Sequence, residues 1–246
     1  MKLAGKKAIV TGGGSGFGAG IVKRFLEEGA QVLVADINLD AAKTIADNDQ
    51  AVACHVDVSK GDSVDAMIAT AMSDLGGVDI LINNAGITHL PAPMEEVSED
   101  DFDRVFAVNC KSVYLTARAL VPHFKDANSG CILNIASTAG VSPRPRLNWC
   151  NASKGWMITA TRAMAVELAP MGIRVNALNP VAGETPLLSS FMGEDTPEMR
   201  AKFLSTIPLG RFSTPNDLAA AATFLCSEDA SMITGVCMEV DGGRCI

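Results

Sequence analysis

Short, almost wholly apolar runs alternate along this chain with longer stretches in which apolar residues recur every three or four positions. The first run, Lys7 to Val10, predicts a buried strand. After a glycine-rich turn, Ile21, Val22, Phe25 and Leu26 fall on one face of a helix. Gly29 ends that helix, Gln31 to Ala35 predicts a second strand, and Asp36 stands at its carboxyl end. The alternation continues with a helix from about Leu39, a strand from Val52 to Val56, a helix from Asp62 to Leu75 and a strand from Val78 to Ile82. One long helix is predicted from Ser98 to Lys125, then a strand from Gly130 to Ala136, a helix from Trp149 to Ala169 and a strand from Ile173 to Leu178. After Pro180 the periodicity breaks into a mobile-looking segment, Gly183 to Ile207. A helix from Pro215 to Ser227 and a strand near Val236 to Val240 close the pattern.

Strands this apolar are expected to be covered on both faces, as in parallel sheets. No linker or internal repeat interrupts the order. It predicts one α/β domain over residues 1–246, a doubly wound parallel sheet of the Rossmann kind. Composition adds mainly exclusions. With 48% hydrophobic and 20% charged residues the chain is too apolar for disorder. A formal charge of −8 without a basic run gives no footprint for nucleic acid or an anionic membrane, which points to a small-molecule ligand. The opening MKLAGKK has no signal-peptide core, and no stretch is long enough to span a bilayer. Seven scattered cysteines, none in a C-x-x-C pair, argue against a disulfide framework and a zinc site, so no metal and a reducing cytoplasmic setting are expected.

Thr11 to Gly18 reads TGGGSGFG at the point where the first strand becomes the first helix. Glycines there let the backbone approach a pyrophosphate, whose charge the helix N-terminus stabilises. Asp36 follows at the spacing of the acid that accepts hydrogen bonds from both ribose hydroxyls and repels a 2′-phosphate. No lysine or arginine in the turn or directly after Asp36 would neutralise that phosphate, so NAD is expected rather than NADP. Asp36 also has a purely local reading, as the N-cap of the helix at Leu39.

Thr11-Gly12-x-x-x-Gly16-x-Gly18, Asp57-Val58, Asn83-Asn84-Ala85-Gly86 and the closing Asp241-Gly242-Gly243 occur in the order seen in classical short-chain dehydrogenases/reductases. The chain resembles that family over nearly its whole length. The resemblance places Gly12, Ser15, Gly16, Phe17 and Gly18 around the dinucleotide, Asp57 and Val58 at the adenine, and Asn84, Ala85 and Gly86 along the cofactor. It also assigns cofactor contacts to Lys154 and to Pro180, Gly183 and Thr185 of Pro180-Val181-Ala182-Gly183-Glu184-Thr185, where Val181 departs from the family's usual glycine. Further implications are an alcohol or hydroxy acid interconverted with its ketone, and a homotetramer or homodimer built on the two long helices.

The same resemblance implies catalytic roles. Asn109 matches the asparagine that positions a relay water, Ser137 the serine that binds the substrate oxygen, and Lys154 the lysine that acidifies a tyrosine. That tyrosine belongs four residues before the lysine, on the same helix face, and Cys150 stands there. The only tyrosine, Tyr114, matches no catalytic position and reads as packing or interface. Lys154 and the nicotinamide ring should push the Cys150 thiol toward thiolate, but its side chain ends several ångströms short of a tyrosine hydroxyl. Acid–base transfer needs heavy atoms within roughly 2.6–3.2 Å, directly or through one water, so turnover is expected to be severely reduced. Three readings stay open: a substitution introduced to trap a complex, an enzyme working through Lys154 and water, and an inactive NAD-binding or regulatory protein.

Pro186 to Ile207, with Leu187, Leu188, Phe191, Met192 and Phe203, resembles the family's variable substrate lid, which is placed at about 183–207. Helix packing explains the same apolar residues. Pro143-Arg144-Pro145-Arg146 is a stiff loop able to hold a guanidinium over the pocket mouth for a carboxylate on the substrate.

Overall fold

The computed structural model describes residues 1–246. Its strands are β1 (Lys7–Thr11), β2 (Gln31–Asp36), β3 (Ala51–His55), β4 (Ile80–Asn83), β5 (Gly130–Ile135), β6 (Ile173–Pro180) and β7 (Cys237–Val240). Nine helices connect or flank them: α1 (Gly16–Glu27), α2 (Leu39–Ile45), α3 (Gly61–Asp74), α4 (Glu99–Phe106), α5 (Ser112–Ala127), α6 (Asn148–Leu168), α7 (Leu188–Met192), α8 (Pro197–Leu204) and α9 (Pro215–Cys226). The strands form one parallel sheet in the order β3-β2-β1-β4-β5-β6-β7.

Alternation along each strand feeds two separate cores. Ala8 and Val10 of β1 and Val32 and Val34 of β2 point to one face, where Ile21, Val22 and Phe25 of α1 meet Leu218, Ala222 and Leu225 of α9. Ile9, Leu33 and Ala35 point to the other face, under Met67 of α3, Leu120 and Phe124 of α5 and Leu168 of α6. Phe25 and Phe124 are fully buried, which stabilises the fold by about 1.5–3 kcal/mol each. Coverage on both faces holds for the central strands, while the edge strands β3 and β7 are only half buried.

Two expectations are corrected. The helix predicted over Ser98 to Lys125 is interrupted by a π-helical turn at Ala107–Lys111, and Asn109 sits inside that turn. The segment Gly183 to Ile207 is not patternless: it carries α7 and α8, and Leu188, Met192, Phe203 and Ile207 bury against Val181 and Phe212 in a small core of their own. No helix is long and apolar enough to cross a membrane.

Candidate active site

β1 pairs with β2 on one side and β4 on the other, so the chain reverses direction across the sheet between them. The loops at the carboxyl ends of these strands diverge there and leave a crevice. A cavity of about 450 Å³ occupies it, lined from Asp36 at the end of β2 and Asp57 after β3, past the turn after β1, to Ser137 after β5 and Pro180 at the end of β6.

The turn after β1 is held by two side chains, Thr11 and Asn84. Thr11 Oγ1 donates to the Ile82 carbonyl at 3.2 Å and accepts from the backbone N–H groups of Asn84 and Ala85 at 3.0 and 3.2 Å. Asn84 Nδ2 in turn donates to the carbonyls of Thr11 and Gly12. Gly12 has φ +63° and Gly16 φ +52°, and a Cβ on Gly18 would lie 2.1 Å from the Gly12 carbonyl oxygen. Nothing larger than glycine fits where α1 springs from the turn. Ser15 is the N-cap of α1, and its hydroxyl makes no capping bond, so it is free for a ligand at the helix N-terminus.

Asp36 accepts from the Gly14 N–H and the Asn38 N–H, both at 2.9 Å, which fixes its carboxylate at the cavity wall. Its reading as an N-cap is corrected: Asn38 caps α2 and accepts from Ala41 N–H at 3.1 Å. Asp57 accepts from the hydroxyl and N–H of Ser59, and the hydroxyl holds its carboxyl below the usual carboxylate range.

At the other end, α6 presents Cys150 and Lys154 one turn apart. An aromatic group anchors the start of α6: Phe102 lies edge-on to Trp149 with ring centroids 5.5 Å apart, and Trp149 Nε1 donates to the Met94 carbonyl. Lys154 is buried and donates to the Ile135 carbonyl at 2.9 Å, its one protein acceptor, and burial pulls its pKa below the ordinary lysine range. Cys150 is 1% exposed, with its sulfur 3.9 Å from the Ile87 carbonyl. The expected push of Lys154 toward thiolate is present but outweighed. Burial pushes this thiol up, and the Thr88 hydroxyl and the Lys154 ammonium offset that only in part.

Most residues expected at the site line this one cavity, including Ser15, Phe17, Val58, Ala85, Gly86, Gly183 and Thr185. Gly18 and Asn109 do not. Gly18 packs against Gly12 behind the turn. Asn109 is fully buried: its Oδ1 accepts from Ile87 N–H, and its Nδ2 donates to the Ile87 carbonyl and the Ser153 hydroxyl. It holds the wall together from outside. Ser137 Oγ caps the short turn after β5 by accepting from Ala139 N–H at 3.0 Å. Val181 continues β6 by donating to the Val240 carbonyl and buries its side chain in the small core of residues 181–212, which gives the loop a strand-like path to Gly183.

Of the two loop arginines only Arg144 lines the cavity. Arg146 takes a left-handed backbone, φ +68°, and its guanidinium turns to the Pro91 carbonyl. Three further residues on or near the wall escaped the sequence reading. Asn151 and Ser142 line the cavity, and Arg244 donates to the hydroxyl and carbonyl of Ser142 from near the C-terminus. Arg244 lies 102 residues from its partner, beyond the reach of any local motif.

A glycine cradle at a helix N-terminus, an acid closing β2 and a crevice at the switch point of a parallel sheet define a dinucleotide-binding α/β protein. A family model described as enoyl-(acyl carrier protein) reductase matches residues 12–244. The chain is 50% identical over 250 residues to a 4-formylbenzenesulfonate dehydrogenase of Comamonas testosteroni, covering 99% of both chains. It is 39% identical to 3beta-hydroxysteroid dehydrogenase 1 of Eggerthella lenta, covering 98% of this chain and 94% of that one. A crystal structure of a 3-ketoacyl-(acyl-carrier-protein) reductase from Brucella melitensis complexed with NADH superposes with a TM-score of 0.95 at 52% identity, covering 99% of this chain and 100% of that one. The chain belongs to the short-chain dehydrogenase/reductase family.

Proposed function

We propose that this protein is an NAD(H)-dependent oxidoreductase that interconverts a secondary alcohol or hydroxy acid with its ketone, and that Cys150 severely slows its turnover. One observation carries the reading: a buried lysine with a single protein acceptor faces the same cavity as the glycine cradle and Asp36. An ammonium in that setting has N–H groups free for the hydroxyls of a bound ribose.

The cradle fits a dinucleotide. Gly12 and Gly16 present bare backbone to the cavity, Ser15 offers a free hydroxyl, and Asp36 keeps lone pairs for ribose hydroxyls. The only cations on the wall, Arg144 and Lys154, belong to the β5–α6 half, so nothing beside Asp36 favours a 2′-phosphate. When bound, NAD accepts hydride from the alcohol or, reduced, returns it to the ketone. Asp36 would hold the adenosine ribose, Asp57 and Val58 the adenine, and Thr185 with the Pro180–Gly183 segment the nicotinamide end. Ser137 would donate to the substrate oxygen, Lys154 would orient the second ribose, and Asn109 would keep the wall around Ile87 in register.

The proton is where this chain falls short. A buried, neutral thiol held near the Ile87 carbonyl is a poor donor at the distance a tyrosine hydroxyl would reach, and losing a positioned acid–base group slows a reaction by about 10²- to 10⁴-fold. That same burial favours a second reading, a catalytically inactive NAD-binding or regulatory protein. Residues 183–207, anchored by their own core, are proposed as the cover over the substrate. A homotetramer or homodimer is proposed on the long helices, where Phe106, Tyr114, Trp156 and Val166 are exposed.

The test compares this chain with Cys150→Tyr, following NADH formation across secondary alcohols and hydroxy acids and titrating NADH and NADPH into both. The tyrosine variant should be faster by about 10²- to 10⁴-fold, with NADH bound in preference to NADPH. If this chain proves the faster of the two, Cys150 belongs to a working mechanism. If neither turns over while both bind NADH, the inactive reading stands.

A further inference from the structure

We propose that the β5–α6 end of the cavity is an oxyanion site, in which Arg144, backed by Arg244, binds a carboxylate or sulfonate carried by the substrate. The inference rests on the oxidoreductase reading above and names the substrate class for the same cavity.

Arg144 lines the cavity on the loop between β5 and α6. Its guanidinium stacks over Phe203, 4.0 Å from the ring centroid, and Nη2 donates to Thr206 Oγ1 at 2.9 Å. Nε, Nη1 and one hydrogen of Nη2 have no acceptor in the chain, and stacking holds the guanidinium plane, so one two-nitrogen edge stays open to a two-oxygen anion. Arg244 converges on the same loop through Ser142, with its Nη1 2.9 Å from Ser142 Oγ. Neither Arg144 nor Arg244 lies in an ion pair with a carboxylate, whereas Arg200 and Arg211 of the neighbouring segment do. The charges of Arg144 and Arg244, both partly buried and neither paired with a carboxylate, repel each other. Burial, together with Arg244, lowers the Arg144 pKa to about 10. A bound anion removes that repulsion, so the site stabilises one charge type over a neutral group.

Asn151 positions this arginine. It is 6% exposed on the cavity wall, and its Nδ2 donates to the Arg144 carbonyl at 2.7 Å, which fixes the loop that carries Arg144. Leu147, Leu187 and Phe191 on the same wall supply apolar surface for the body of an aryl or alicyclic acid.

The probes are 4-acetylbenzoate, 4-acetylbenzenesulfonate and the neutral 4-acetylbenzamide, titrated by calorimetry into the full chain with and without NADH. Both anions should bind about ten- to a hundredfold tighter than the amide, the range of a charge-assisted hydrogen bond. Arg144→Gln, which removes the charge and keeps a polar side chain, should erase that preference while the amide binds as before, and Arg244→Gln should reduce it less. A salt titration of the unaltered chain reads the site without any substitution: the anions should weaken as ionic strength rises and the amide should not. Equal binding of anions and amide, a preference that survives Arg144→Gln, or equal salt responses would each overturn the proposal. Failure to bind NADH would instead sink the oxidoreductase reading, because the titrations without NADH still report the charge preference.

Discussion

Replacing Lys154 by methionine separates what the ammonium does for a ligand from what it does to the fold. The side chain keeps its unbranched shape, one atom shorter, and loses its charge. In the native chain the ammonium is buried, donates to the Ile135 carbonyl at 2.9 Å, and is held below the ordinary lysine pKa by burial. A depressed pKa in the folded state means that the unfolded chain binds this proton more tightly. The charge therefore destabilises the fold at every pH below the folded pKa, and the penalty fades as pH climbs from there to about 10.5. Methionine removes that penalty but leaves the Ile135 carbonyl short of a donor, which costs about 1–3 kcal/mol. These effects oppose each other, so the net change at neutral pH is small, but its pH dependence has one sign. The Tm of Lys154→Met relative to the parent should be highest near neutrality and decline toward about pH 10. Binding should move the other way, with NADH held about ten- to a hundredfold more weakly, as expected for loss of a charged hydrogen-bond donor. Thermal melts across that pH range and fluorescence titration of NADH check both. A Tm difference flat in pH together with unchanged NADH binding would refute the reasoning.

Gly18→Ala would place a methyl 2.1 Å from the Gly12 carbonyl oxygen and 2.5 Å from Asn84 Nδ2, so α1 must shift. Urea denaturation should show a loss of about 1–3 kcal/mol, and NADH affinity should fall with it; parental stability would mean that the turn is looser than its packing implies. Asp217 closes a capping box with Thr214 at the start of α9, and Arg211 holds its carboxyl well below the usual carboxylate range. Asp217→Asn should lose about 0.5–2 kcal/mol at neutral pH. The stabilising effect of the carboxylate is present above the unfolded pKa of about 3.8 and fades as pH falls through the lower folded value, so parent and variant should converge in acid.

Apolar runs made the central strands legible in the sequence, because β1, β2 and β4 bury residues on both faces and leave no polar positions to confuse the period. The turn after β1 was legible because Gly12, Gly16 and Gly18 answer to backbone geometry that only glycine satisfies. The π-helical turn at Ala107–Lys111 was not, since one extra residue shifts the helical period too little for so short a window to register. Asp36 and Asn38 share the chemistry of an N-cap, and only the folded backbone decides which side chain reaches Ala41 N–H. The state of Cys150 depends on burial by residues far along the chain, against which a neighbouring lysine says little. Arg244 beside Ser142 is a product of tertiary folding alone.

The stretch from Gly183 to Ser213 leaves the sheet and returns to its starting point. A parallel bridge pins its two ends, with Glu184 N–H donating to the Ser213 carbonyl at 2.9 Å and Ser213 N–H to the Ala182 carbonyl at 3.2 Å. A detour closed at its neck enters the folding free energy mainly through chain-closure entropy, and doubling its length costs only about 0.6 kcal/mol. Its interior packs on itself through Leu188, Met192, Phe203 and Ile207, apart from the two large cores that hold the sheet. Insertions, deletions and rewriting within this detour are thereby felt by the scaffold mainly where Phe203 and Thr206 hold Arg144 and where Leu209 N–H reaches the Gly242 carbonyl. Molecular recognition in such a chain can diverge rapidly while the cradle at the sheet's switch point stays the same.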